Sequence, residues 1–511
     1  MISNNFYITT PIYYPSGDPH IGHAYSSIFA DVFARFKRND NCKVFFLTGT
    51  DEHGLKIQKS AEKRKLDPLT YCNEISKTFR DLSKQLNLSN DDFIRTTEER
   101  HKKSVNVLWN RLVESGDIYL SKYKGWYSVS DEAYYNPDEI DEKNGKKISS
   151  FSGSTVEWVE EDSFFFKLSA WQNKLLDFYE SNKKFILPIT RRNEVINFVK
   201  SGLKDLSISR TSFTWGIKVP NADKHIIYVW LDALTNYLSA LNYPNTNDEL
   251  YKTFWPASLH IIGKDILRFH AIYWPAFLLA ANIPPPKRIF GHGWILSGDE
   301  KMSKSKGNIL NPSEIIKTYG VDQLRYYLMK EVSHGSDGNI SLKSLENCIN
   351  SDLANNYGNL CQRVFSFVKN NCNNTVVKTK TLSNVDNKLI KDTELLTNDL
   401  RDFMNNQNLN SYIKSVINIS FLTNKYINDE EPWKLKNINK EKMNNILHLS
   451  LVQIAKISLL LNPIIPQASS KVLDALSMSQ KSRNLSFLDT AVLLSDEIKI
   501  KDLNILFKKI I

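Results

Sequence analysis

The chain has 511 residues, of which 41% are hydrophobic, 24% charged and 11% aromatic, proportions that exclude a collagenous, mucin-like or wholly disordered polypeptide. At roughly 150 residues per domain this length implies two or three domains with sizeable cores. A formal net charge of +10 permits a polyanionic partner such as RNA and equally fits ordinary surface charge. The longest apolar stretch, Ala271 to Ile283, is shorter than the ~20 residues a bilayer helix needs and is interrupted by Trp274 and Pro275, so no membrane span is expected. The cysteines, Cys42, Cys72, Cys348, Cys361 and Cys372, form no C-x-x-C pair, which points to a reducing compartment. With no leader pattern ahead of Phe6, the expected location is cytoplasmic.

Phe6 to Tyr13 is β-branched and aromatic and reads as a strand, Tyr14-Pro-Ser-Gly-Asp-Pro19 as a turn. From His20 to Arg38 the apolar residues Ile21, Ala24, Ile28, Val32 and Phe36 recur at helical spacing. A second buried strand, Lys43 to Leu47, runs into Thr48-Gly-Thr-Asp-Glu-His-Gly54, the way a parallel sheet presents loops at its carboxyl edge. Short aromatic runs such as Tyr123-Lys-Gly-Trp-Tyr127 and Ser163-Phe-Phe-Phe166 then predict an inserted subdomain. The α/β texture returns with Ile226-Ile-Tyr-Val-Trp230 and Leu259-His-Ile-Ile262, and helical periodicity dominates from Leu342 onward. The predicted organisation is an α/β, Rossmann-type parallel-sheet, nucleotide-binding domain over 1–115 and 224–341, an inserted subdomain over 116–223, and an all-α helical bundle over 342–511.

His20-Ile-Gly-His23 sets two imidazoles three residues apart at the first turn of a helix, beside backbone N–H groups that lack a helical partner. Helix N-termini attract anions, and imidazole donors suit charge developing on a transferring phosphoryl group. Gly22 would let a nucleotide approach the backbone closely. Taken alone, the tetrapeptide reads more simply as a pair of surface or capping histidines. Lys301-Met-Ser-Lys-Ser305, followed by Lys306, puts three ammonium groups on a loop bracketed by Gly298 and Gly307, able to move onto a triphosphate. A lysine that meets the phosphates only in the transition state raises kcat. Alone, this segment reads as a solvated basic turn.

The two segments at opposite ends of one α/β domain together resemble the class I aminoacyl-tRNA synthetases. The resemblance implies that both motifs clasp ATP, with its Mg²⁺, while an amino acid carboxylate attacks the α-phosphate, and it makes His20, His23, Lys301 and Lys304 the catalytic set. Thr10-Pro-Ile-Tyr-Tyr-Pro-Ser-Gly17, Thr48 to Gly54, Tyr228 to Tyr237, Ile262-Gly-Lys-Asp-Ile-Leu-Arg-Phe-His270 and Gly291-His-Gly-Trp294 extend it to the methionyl-tRNA synthetase family over essentially the whole chain. It implies a methionine pocket of Ile12, Tyr14, Asp51, Val229, Trp230, Ala233, Leu234, Tyr237, Ile266, Phe269 and His270, with Asp51 on the substrate ammonium. Aromatic edges and faces suit a polarisable thioether. Gly22, Gly263, Asp265, Lys304 and Arg210 are the implied ATP contacts.

Asn359 and Arg363 lie four apart on one helical face, and Trp433 follows Glu431-Pro432 on a turn. They resemble the family's anticodon readers, which stack single-stranded bases on aromatics and read their edges. The implied partners are L-methionine, ATP and tRNA(Met), initiator and elongator alike, and a monomer is expected. Ser128 and Asp131 stand where a C-x-x-C knuckle pair would fit, a poor tetrahedral zinc site, so no metal is expected and Trp126, Tyr134 and Trp158 are expected to hold the insertion. The rivals are another class I activity, a tRNA-binding paralogue without catalysis, and a nucleotidyltransferase that shares only the first motif.

Overall fold

The computed structural model describes residues 5–131, 133–135, 137–143, 145–297, 300–301, 310–379, 381–490 and 493–510. Strand β1 (Asn5–Tyr13) leads through a short loop into helix α1 (Ile21–Asn39) and returns as β2 (Lys43–Thr50). β3 (Asp92–Arg95) and helix α2 (Glu99–Glu114) follow. A long antiparallel hairpin of β4 (Ile118–Ser128) and β5 (Glu157–Phe166) forms the insertion, registered from Ile118↔Phe166 to Tyr127↔Glu157. The chain then adds β6 (Ile186–Leu187), β7 (Leu259–Gly263) and β8 (Ile289–His292).

The six strands β3-β2-β1-β7-β8-β6 form one all-parallel sheet. Its chain order reverses between β1 and β7, and such a switch point opens a crevice at the carboxyl ends of the strands. β1 and β2 are buried on both faces over most of their length, which is why they read as continuous apolar runs. The edge strand β6 comes from within the predicted insertion. The segment Ile226 to Trp230 does not join this sheet. Its first two residues end a strand, Ala222–Ile227, in a small antiparallel sheet, and a helical turn begins at Val229 and buries all of Val229–Leu234.

Helix α1 packs its apolar stripe against the sheet, and its last turn carries Lys37 and Arg38, favourable at a helix C-terminus. One apolar cluster runs from Ile8, Ile28 and Phe46 through helix α3 (Val321–Glu331) to α4 (Asn359–Asn371), α5 (Leu409–Glu430) and α6 (Lys440–Leu461). By length and composition α6 is apolar enough to cross a bilayer, yet 83% of its most apolar window is buried inside the protein, as befits the central helix of a bundle. Arg325 of α3, fully buried, joins the two halves: it donates to Asp31 of α1 at 2.7 Å, to the Leu86 carbonyl at 3.0 Å, and to the Pro463 and Ile464 carbonyls at 2.9 and 2.8 Å.

At the tip of the insertion the Asp131 carboxylate accepts hydroxyls from Tyr135 and Ser154, each at 2.8 Å, and from Ser152, while the Asp131 N–H donates to Ser128 Oγ at 3.3 Å. Hydroxyl and carboxylate groups therefore clasp these turns. Trp126 and Trp158 meet edge to face at 5.4 Å farther along the hairpin, and the Tyr134 side chain lies outside the described residues.

Candidate active site

The carboxyl ends of β1, β2, β7 and β8 and the N-terminus of α1 surround a cavity of about 670 Å³, covered on one side by Asp131, Tyr135 and Phe151 of the insertion. His20 is the N-cap of α1 and His23 its third helical residue. The Gly22 N–H donates to His20 Nδ1 at 3.1 Å and the His20 N–H to His23 Nδ1 at 3.0 Å, a reciprocal cap. With both Nδ1 atoms accepting, a neutral ring carries its proton on Nε2. The rings lie 3.9 Å apart. Burial, then His20 and Lys56, push the His23 pKa well below 6.5. A Cβ on Gly22 would come within 2.9 Å of His20 Cε1, so glycine there makes room for the imidazole itself.

Asp51 sits at the end of β2, 2% exposed, its backbone N–H tied to the Tyr13 carbonyl at 2.9 Å. The next residue, Glu52, is wrapped by Arg95 at 2.7 Å, Thr97 at 2.6 Å and Thr50 at 2.7 Å, which fixes the loop. In the lining of the same cavity, Trp230 and Phe269 stack face to face, centroids 3.7 Å apart. His270 Nδ1 lies 3.0 Å from the Ile266 carbonyl, so it is the donor, and Nε2 accepts from Tyr237 Oη at 2.8 Å. Burial lowers the His270 pKa to about 4 and raises that of Tyr237, so both are neutral at pH 7.

At the β7 end, a Cβ on Gly263 would stand 2.5 Å from Asp265 Oδ1, so only glycine lets that carboxylate fold back. Lys264 lies 3.9 Å from the Trp294 ring centroid and pairs with Asp337 at 2.7 Å. His292 Nδ1 donates to the Gly293 carbonyl at 2.7 Å and Nε2 accepts from Ser26 Oγ at 2.7 Å, locking β8 to α1.

The cavity is lined by His20, Gly22, His23, Gly263 and Asp265 and by Ile12, Tyr14, Asp51, Trp230, Ala233, Leu234, Tyr237, Ile266, Phe269 and His270. Val229 is not among the lining residues; its side chain packs in the core behind Trp230. Nor is Arg210, which is buried, bonded to Glu161 of β5 at 2.5 Å and laid over the Tyr127 ring at 3.8 Å. Lys304 lies outside the described residues, as does the Lys301 side chain. His292, quoted only within the Gly291–Trp294 block, Asp131, weighed only as a zinc ligand, and Lys56, Phe151 and Ser152 also line the cavity, a role sequence reasoning did not give them because nothing local marks a residue that reaches the cavity by folding alone. Outside the cavity lining, Asn359 is exposed on α4, and the Arg363 guanidinium lies 5.6 Å from the Trp433 ring centroid and donates to Asn428 at 2.9 Å. Trp433 is 42% exposed, on a helical turn, Pro432–Leu435, entered through Glu431 in the left-handed region.

The arrangement brings into one cavity a buried carboxylate and an aromatic wall, suited to an amino acid with an apolar polarisable side chain, and a helix N-terminus with two imidazoles, suited to a phosphate. Residues 6–365 match the family model described as tRNA synthetases class I (M), and residues 376–511 that described as the anticodon binding domain of methionyl tRNA ligase. The chain belongs to the methionyl-tRNA synthetase family. It is 48% identical to the methionine–tRNA ligase of Rickettsia bellii, covering 99% of both chains, and 47% identical to that of Brucella melitensis, covering 95% of this chain and 94% of the other. Among solved structures of the family it superposes on Mycobacterium tuberculosis methionyl-tRNA synthetase in complex with methionyl-adenylate with a TM-score of 0.96, at 42% identity over 98% of this chain and 99% of that one.

Proposed function

We propose that the chain activates L-methionine with ATP and transfers the methionyl group to the 3′ end of tRNA(Met), initiator and elongator alike. The observation that carries this reading is that one cavity is lined by Asp51, by the stacked Trp230 and Phe269, and by His20 and His23 of the helix terminus together. Asp51 holds the ammonium, and Ile12, Tyr14, Ala233, Leu234, Tyr237, Ile266 and His270 enclose the thioether. A carboxylate oxygen of methionine attacks the α-phosphorus of ATP, bound with its Mg²⁺, and the bond to the bridging oxygen breaks so that pyrophosphate leaves. The Nε2–H groups of His20 and His23 donate to phosphate oxygens as charge builds on them, and Lys301 and Lys304 meet the departing phosphates. The substrate supplies the nucleophile, so no covalent enzyme intermediate is required.

Gly22, Gly263 and Asp265 face the nucleotide; Arg210 and Val229 act at most from behind the lining. Trp433 stacks an anticodon base while Asn359 and Arg363 read base edges. The division into 1–115 with 224–341, 116–223 and 342–511 serves as the functional division, with the catalytic sheet, the hairpin cover and the tRNA-reading bundle in turn. The protein acts as a cytoplasmic monomer, with a metal-free insertion clasped through Asp131. Charging of unfractionated tRNA with each labelled amino acid tests the reading. Methionine on tRNA with a CAU anticodon is expected; stable charging with another amino acid, or with none, would overturn it.

A further inference from the structure

Behind the cavity wall lies a buried carboxylate that the reaction above does not use. Asp232, in the turn Val229–Leu234, has Oδ2 2.7 Å from His53 Nδ1 and Oδ1 2.6 Å from His101 Nε2, and all three residues are buried. His53 belongs to the loop after β2, and His101 to α2, where its Nδ1 meets Ser239 Oγ at 3.0 Å. Trp215 packs edge-on against His53 at 5.5 Å. Taking a carboxylate and two imidazoles out of water is costly, and such a cluster is weak evidence for stability by itself.

Its placement says more. Asp51 stands two residues before His53, and Trp230 two residues before Asp232, so the bond between His53 and Asp232 ties the anionic corner of the cavity to its aromatic wall. Glu52 is held independently by Arg95, Thr97 and Thr50, so the loop keeps an anchor when the His53 bond is lost. Losing that bond therefore shifts the corner rather than unfolding the loop.

We infer that Asp232 is a positioning residue for the amino acid substrate, a clamp that fixes the separation between Asp51 and the Trp230–Phe269 wall. The inference rests on the methionine-binding reading above. A flexible substrate gripped at both ends pays for any slack between the grips, whereas the nucleotide side, built on α1 and the ends of β7 and β8, does not depend on that separation.

ATP–pyrophosphate exchange on wild type, Asp232→Asn, His53→Ala and His53→Asn tests the clamp. In His53→Asn the amide N–H takes the place of Nδ1–H. The methionine KM is expected to rise about tenfold or more in Asp232→Asn and His53→Ala, with the ATP KM unmoved. His53→Asn is expected to restore most of that loss. An unchanged methionine KM in His53→Ala, a parallel rise in both KM values, or no rescue by His53→Asn would overturn the inference. If Asp232→Asn does not fold, the two His53 variants decide alone. A wild type with no methionine-dependent exchange would refute the methionine reading itself, whereas a responsive wild type with unaffected variants refutes only the clamp.

Discussion

Replacing Arg325 with leucine removes the guanidinium that joins the catalytic sheet to the helical bundle, and the loss can be sized from its four bonds. Breaking a buried ion pair from one side costs about 3 to 5 kcal/mol when the partner charge is stranded. Asp31 is not fully stranded, because it keeps Arg35 at 2.8 Å and the Ser89 N–H and hydroxyl at 2.7 and 2.6 Å. Among the described residues no second donor reaches the carbonyls of Leu86, Pro463 and Ile464, and an unmet buried acceptor costs about 1 to 3 kcal/mol. Three of them bring the loss to about 3 kcal/mol or more, and Arg325→Lys, which keeps the charge but not the planar fork, should fall between. Urea unfolding followed by tryptophan fluorescence reads this directly, with hydrogen exchange on 462–466 to show where the fold opens. A loss below about 1 kcal/mol for Arg325→Leu would refute the reasoning, since an ordinary surface change costs that little.

Burial lowers the pKa of His270 to about 4 and pushes those of His23, His260 and His292 below 6.5. The folded chain then binds fewer protons than the unfolded one below pH 6.5, so stability is full above that value and drains as pH falls toward 4. Each such histidine contributes up to about 1.4 kcal/mol per pH unit, and urea midpoints that stay level from pH 7 to 5 would contradict it. Trp433→Ala should cut aminoacylation of tRNA far more than ATP–pyrophosphate exchange; equal losses in both would count against the anticodon role. Elemental analysis of purified protein should find no stoichiometric zinc, and one zinc per chain would refute the metal-free clasp at Asp131.

The α/β opening and the helical C-terminal region were legible because their signals are local and strong. β1 and β2 are apolar on both faces, and α1 repeats its apolar residues at helical spacing. The two-residue β6 carries no such pattern, and its place beside β8 depends on the fold around it. Ile226 to Trp230 misleads for a related reason: full burial makes a helical turn look like a strand, since neither face is polar. The motif resemblance carried most of the cavity, but it could not say that Arg210 would turn to Glu161, 49 residues away. Nor could it show Asp232 between His53 and His101, which lie 179 and 131 residues from it in the chain. Such partners are created by topology, and one sequence holds no local trace of them.

The central claim is that one cavity activates methionine against ATP with help from the lysine loop. ATP–pyrophosphate exchange measured for each of the twenty amino acids, with Lys304→Ala alongside, tests it most directly because it needs no tRNA. The account predicts exchange confined to methionine and abolished or nearly so in Lys304→Ala. Exchange with no amino acid, or with a different one at comparable efficiency, would contradict it.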